Sequence, residues 1–139
     1  MAFLLDTNVL SELRKGRACD VSVRQWALSV ADRQHFISVL SIGEIRRGIE
    51  TLRRRSPEQC PDFEKWLESL LSRYNEQVIR IDESIVDRWG IMNAERTMPV
   101  IDGLIAASAA VYQLTVVTRN IRDFQCSGVP VIDPFQWKA

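Results

Sequence analysis

The stretch Phe3-Leu4-Leu5-Asp6-Thr7-Asn8 sets three apolar residues directly before an acid, a hydroxyl and an amide. A short apolar run of this kind reads as a strand buried on both faces, the type found in parallel sheets. Asp6 stands where the chain must leave that sheet. In open α/β sheets, ligands bind just outside the carboxyl ends of the strands. Asp6 is therefore placed where chemistry is done. The plain alternative is that Asp6 or Asn8 caps the following helix, Val9 to Arg14, and the rest of the chain has to decide between the two.

The bulk properties narrow the classes. At 139 residues the length fits one domain, with 46% hydrophobic and 26% charged residues as in ordinary globular proteins. No long uncharged apolar run suggests a membrane span, and no basic segment before an apolar one suggests a secretory signal. Cys19, Cys60 and Cys126 have no CxxC spacing, which suits reduced thiols in a cytoplasm. Formal net charge is zero, so a nucleic-acid partner has to be held by a local patch or through metal ions. His35 is the single histidine, which argues against poly-histidine zinc sites and Ser-His-Asp catalysis. A P-loop glycine-lysine motif is absent.

Taken in order, the chain alternates strands and helices. After the first strand, Gly16 stops a short helix, and Val23, Trp26, Ala27 and Val30 mark a second helix over 22–32. Phe36 to Val39 reads as the second strand. Ser41 three residues before Glu44 fits a capping box, which puts Glu44 in the first turn of the next helix. That helix carries Ile45, Ile49 and Leu52 on one face and Arg46, Arg47, Arg53, Arg54 and Arg55 elsewhere, a local basic surface for phosphate or an acidic partner. A helix over 62–74 follows, with an aromatic-rich stripe suited to the core or to a protein interface. Gln77 to Ile81 is the third strand. Asp82 caps a helix that ends before Pro99. Asp102 opens a strongly apolar helix to Tyr112. Thr115 to Thr118 is the fourth strand, trailed by Arg119, Asn120 and Asp123, and Val129 to Ile132 is the last. This alternation predicts an α/β protein: a three-layer α/β/α domain spanning 1–139 with a central parallel sheet of four to five strands.

Four acids now occupy comparable places: Asp6, Glu44, Asp102 and Asp123. If strands one and four are neighbours at the switch point, all four converge at the carboxyl edge of the sheet. Clustered carboxylates repel and need protons or cations. Oxygen ligands without histidine or cysteine suit Mg²⁺ or Mn²⁺. Two such ions roughly 3.5–4 Å apart stabilise the attacking and leaving oxygens of a phosphoryl displacement, with a metal-activated water as nucleophile. Thr7, Thr118 and Asn120 would complete the shell by hydrogen bonding. Repulsion in such a cluster also implies that Asp6→Asn and Asp102→Asn stabilise the metal-free fold.

Four segments carry a resemblance to a family: Phe3-Leu4-Leu5-Asp6-Thr7-Asn8-Val9, Ser38-Val39-Leu40-Ser41-Ile42-Gly43-Glu44-Ile45, Asp102-Gly103-Leu104-Ile105-Ala106-Ala107 and Thr118-Arg119-Asn120-Ile121-Arg122-Asp123-Phe124. In this order the chain resembles the PIN-domain ribonucleases, and among them the VapC-type toxins with their FitB-like branch. The resemblance implies a Mg²⁺- or Mn²⁺-dependent endoribonuclease and a homodimer. It also implies a small VapB-like antitoxin, through which alone DNA would be contacted. It casts Asp6, Glu44, Asp102 and Asp123 as catalytic acids, with Asp6 and Asp102 as metal ligands. It does not name the RNA.

Two rivals remain at the level of sequence. A receiver domain also gathers acids at a sheet edge, but it needs a lysine after a late strand, and Lys15, Lys65 and Lys138 lie elsewhere. A PIN-like scaffold that only binds RNA or protein keeps the same fold, and its separation from an enzyme needs a cleavage assay.

Overall fold

The computed structural model describes residues 1–139. Strand β1 (Ala2–Leu5) leads directly into α1 (Thr7–Leu13), and α2 (Val21–Ser29) returns the chain to β2 (Gln34–Ser38). A long helix, α3 (Val39–Arg55), and its partner α4 (Cys60–Arg73) form a hairpin before β3 (Val78–Ile79). Then come α5 (Glu83–Met92), α6 (Val100–Tyr112), β4 (Thr115–Val117), α7 (Ile121–Gln125) and β5 (Val131–Ile132). All pairings are parallel, in the order β3-β2-β1-β4-β5. β1 is central, with β2 on one side and β4 on the other, so the order reverses between β1 and β4 as the site argument required.

The strands are short, and β1 is wholly apolar because both its faces are covered. In β1, Phe3 and Leu5 enter one core with Val9, Trp26, Ile45, Ile49 and Leu67, beneath α1 to α4. Leu4 points the other way, into a second core with Ile85, Ile105, Ala106, Val116 and Phe124, beneath α5 to α7. The period-two alternation of a strand divides its three apolar residues between the two layers. The result is the α/β/α sandwich expected from the alternation of elements.

Several boundaries differ from the sequence expectation, each for a physical reason. Helix α3 starts at Val39, with Ser38 as N-cap accepting from the Leu40 N–H at 3.1 Å. The capping box from Ser41 to Glu44 therefore does not form. Glu44 lies in the second turn, beyond the reach of cap geometry. Because β2 ends at that cap, only Ile37 and Ser38 are left to pair with β3, which shrinks from the expected 77–81 to Val78–Ile79. The last strand is likewise limited to Val131–Ile132; Pro130, which has no N–H to give, contributes its carbonyl to Val116. Helix α2 ends at Ser29 rather than residue 32, and its cap is Asp20, which accepts from the N–H groups of Ser22 and Val23. Gly16 has φ +60 and closes the α1 region as expected.

Candidate active site

The acids meet where the sheet order reverses. Asp6 follows the last residue of β1, and its N–H donates to the Val117 carbonyl of β4 at 2.9 Å. Its side chain is 4% exposed. One carboxylate oxygen accepts from the Thr7 N–H at 2.9 Å, the other from the Thr118 hydroxyl at 2.8 Å and more weakly from Asn8 Nδ2 at 3.4 Å. The capping and functional readings of Asp6 are thus both realised: it caps α1 with one oxygen and is locked against β4 with the other. Burial raises its pKa even against these hydrogen bonds, and the nearby Glu44 carboxylate adds to the rise.

Thr118 is the knot of the site and is fully buried. Its hydroxyl donates to Asp6 and accepts from Asn8 Nδ2 at 3.2 Å and from the Asn120 N–H at 3.0 Å. That exhausts one donor and two lone pairs. Asn8 completes the crosslink by accepting the Arg119 N–H at 3.1 Å, tying the start of α1 to the loop after β4. Of Asn120 it is the backbone N–H that binds Thr118, and its side chain makes no hydrogen bond to the helix it precedes. Within the α1–α4 layer, the Thr7 hydroxyl donates to Glu44 Oε1 at 2.6 Å and fixes that carboxylate from α3 beside Asp6.

Asp102 comes from the second layer, in the first turn of α6. It is half-buried, and its pKa is pushed up to about 6 by burial first and then by the charges of Asp6, Asp123 and Glu44. Asp102 therefore lies in the field of Asp6 after β1, Glu44 of α3 and the exposed Asp123 of α7. A close fit sets Asp102 in place. A Cβ on neighbouring Gly103 would stand 3.0 Å from Trp89 Nε1 and 3.2 Å from Asn93 Nδ2. Asn93 braces the approach to α6 by accepting the Met98 N–H at 3.0 Å and donating to the Trp89 carbonyl at 2.9 Å.

No three acid, histidine or cysteine side chains are gathered tightly enough to cage an ion by themselves. Mg²⁺ is bound by one or two carboxylates with water and substrate phosphate supplying the rest, so the donor set fits such an ion. Four hard carboxylates, one already raised to about 6 by burial and then by its neighbours' charges, form a place where a divalent cation relieves repulsion. His35 sits at the opposite end of β2. Its ring stacks on Trp26 at 6.1 Å, one ring nitrogen is 3.0 Å from the Val30 carbonyl, and burial lowers its pKa. It is a half-buried residue packed on the core ring of Trp26, away from the acids.

The arginines of α3 divide into two groups. Arg46 grips Glu64 of α4 with both terminal nitrogens, at 2.7 and 3.0 Å, and also reaches Glu50 at 3.1 Å. Arg53 bonds the same two acids. Arg47, Arg54 and Arg55 are exposed and form no ion pair. The aromatic stripe of α4 is largely core: Leu67, Leu70 and Tyr74 are buried, and Arg14 of α1 covers the Phe63 ring at 4.2 Å.

Sequence reasoning missed Asn8 as a crosslink, Gly103 with its Trp89–Asn93 seat, and Arg119. The run Asp-Thr-Asn carried the signal for Asn8, but only a fold that brings residue 8 beside residue 118 reveals what it binds. Asn93 and Trp89 left no signal, since their role depends on how α5 packs on α6.

The switch-point geometry, with Asp6 buried, Glu44 and Asp102 half-buried and Asp123 exposed, defines an α/β protein with an acidic site at the carboxyl edge of its sheet. The PIN domain profile matches residues 3–125, and the chain belongs to that family. It is 29% identical over 137 residues to VapC ribonuclease Y4jK of Sinorhizobium fredii, covering 96% of this chain and 97% of that protein. It is 26% identical over 137 residues to Toxin FitB of Neisseria gonorrhoeae, covering 95% and 97%. The solved structure of FitAB bound to the IR36 DNA fragment superposes with a TM-score of 0.83 at 25% identity, over 99% of this chain and 98% of that one.

Proposed function

We propose that the protein is a Mg²⁺- or Mn²⁺-dependent endoribonuclease acting as the toxin of a toxin–antitoxin pair. The observation that carries this is the built acidic site at the switch point: Asp6 is locked by the Thr7 N–H and the Thr118 hydroxyl, and the Thr7 hydroxyl holds Glu44 beside it. Family membership and the ribonuclease and toxin names of its relatives supply the reaction class.

Asp6 and Asp102 would hold the ion, with Glu44 and Asp123 closing the acidic ring. When bound, the ion neutralises the acids, activates the nucleophile and stabilises charge on the phosphate. The protein's own part is positioning. Thr118 and the Thr7 N–H fix the two oxygens of Asp6, the Thr7 hydroxyl fixes Glu44, and Gly103 sets Asp102 by its close packing. Asn8 locks the two loops that carry these groups.

The proposed partners are a cognate VapB-like antitoxin and a second copy of the chain, in the cytoplasm, with DNA reached only through the antitoxin. No helix is long and apolar enough to cross a membrane. The basic surface of α3 is the proposed contact for antitoxin or RNA, with Arg47, Arg54 and Arg55 the members not already paired. Unchanged partner affinity after Arg47→Glu would remove it from that role. The function itself is tested by incubating purified protein with RNA in Mn²⁺ and in excess EDTA. Cleavage only with the metal is expected, and cleavage that persists unchanged in EDTA refutes the assignment.

A further inference from the structure

The last strand returns the chain to the loop that follows β4. β5 runs along β4 with Val117 opposite Ile132, and the Thr118 N–H donates to the Ile132 carbonyl at 2.9 Å. A 3₁₀ turn, Pro134–Gln136, follows at once, capped by Asp133, whose carboxylate accepts the Phe135 N–H at 2.9 Å. Pro134 is buried, and Phe135 packs on the core beneath α1 to α4. The Phe135 ring is therefore a fixed wall beside the loop that follows β4.

Arg119 lies across that wall, its guanidinium carbon 4.4 Å from the ring centroid. Its backbone is anchored too, through the N–H given to Asn8. Yet the guanidinium forms no salt bridge and donates no hydrogen bond, unlike Arg46 and Arg53, which are saturated by Glu50 and Glu64. Glu12 feels its charge without pairing to it. A guanidinium stacked by its face keeps its N–H edge free, and that fork matches two oxygens of a phosphate. A protein of zero net charge needs such local cations to hold RNA next to four acids. The geometry points to Arg119, on its Phe135 platform, as the residue that seats a backbone phosphate of single-stranded RNA flanking the acidic site, on the side of Glu12. This assignment rests on the ribonuclease reading. Arg119 is a substrate-positioning residue, one residue removed from the hydroxyl that holds Asp6.

The test uses the full chain and a fluorescein-labelled single-stranded RNA oligonucleotide of mixed sequence. Binding is followed by anisotropy in Ca²⁺ and cleavage in Mn²⁺. Arg119→Ala should raise Kd and KM about ten-fold, the loss of one charge-assisted contact. It should leave kcat within about three-fold and reduce the slope of log affinity against log salt by roughly 0.7, one phosphate contact on a single strand. Its melting temperature should match wild type. Arg119→Lys should keep the salt slope while recovering only part of the affinity, because the charge remains and the fork is lost. Phe135→Leu keeps apolar packing but removes the ring face, and should weaken binding with Arg119 still present. Wild-type Kd and salt slope in Arg119→Ala would overturn the assignment, as would a loss of binding matched by a fall in melting temperature. Wild-type protein that cleaves no RNA in Mn²⁺ sinks the ribonuclease reading instead, while the binding comparison still decides the role of Arg119.

Discussion

Replacing Asp102 by Asn should stabilise the metal-free protein while abolishing its response to divalent ions. The Asp102 pKa is pushed from the ordinary 3.8 up to about 6. That difference corresponds to ~3 kcal/mol against ionising this carboxyl in the folded state. Asp102 is only half-buried, and solvent screening reduces the figure to roughly 1–2 kcal/mol. The sign follows from proton binding. Between pH 3.8 and about 6 the folded chain binds more protons here than the unfolded chain, so stability falls as pH rises through that window. Above it the penalty is complete, and near pH 3.8 it is absent. Asn keeps the shape and removes the charge. In EDTA at pH 7.5 and low salt, Asp102→Asn should therefore melt higher than wild type by about 3–7 °C, and the gap should close as pH approaches 4. Added Mn²⁺ should reverse the order, since a ligand at 100 times its Kd stabilises wild type by about 2.7 kcal/mol and the variant far less. Melting curves at three pH values, with EDTA and with Mn²⁺, decide it. A variant that melts below wild type in EDTA, or a gap that ignores pH, refutes the reasoning.

Asp6→Asn should not share that gain: the new amide would face a Thr118 oxygen that already accepts two hydrogen bonds, so its melting point in EDTA should not exceed wild type. Thr118→Val removes a donor and the acceptor for two N–H groups, and should cost about 2–3 kcal/mol in denaturant melts together with most of the cleavage activity. Gly103→Ala forces a Cβ against Trp89 and Asn93 and should cost about 1–2 kcal/mol, with a drop in cleavage rate because Asp102 moves with it. Glu64→Gln releases exposed ion pairs from Arg46 and Arg53 and should leave the melting temperature at its wild-type value.

The apolar runs in β1 and β4 and the acids that follow them made the layer architecture readable from sequence, because a buried parallel strand has little choice of composition. The switch point followed from the assumption that the first and fourth strands are neighbours, which the pairing of Leu5 with Val117 bears out. Where the chain could satisfy a helix end in two ways, sequence chose wrongly: Ser38 rather than Ser41 caps α3, because β2 ends at Ser38, one residue before its apolar pattern suggests, and the helix starts at once. Long-range polar contacts were invisible. Thr118 was named as support, but its triple role needs residues 6, 8 and 120 around one hydroxyl. The arginine run of α3 looked uniform in sequence, and only the packing of α4 shows that Arg46 and Arg53 are already paired to Glu64.

The central claim is that four carboxylates share one field and await a divalent cation. Carboxyl-carbon NMR titration of the full chain tests it most directly. In EDTA one aspartate, assigned to Asp102 by its loss in Asp102→Asn, should titrate with a midpoint near 6. Saturating Mg²⁺ should drive that midpoint down towards the ordinary 3.8 or below, because a cation favours the ionised form. An Asp102 midpoint near 3.8 in EDTA, unmoved by Mg²⁺, would contradict the account.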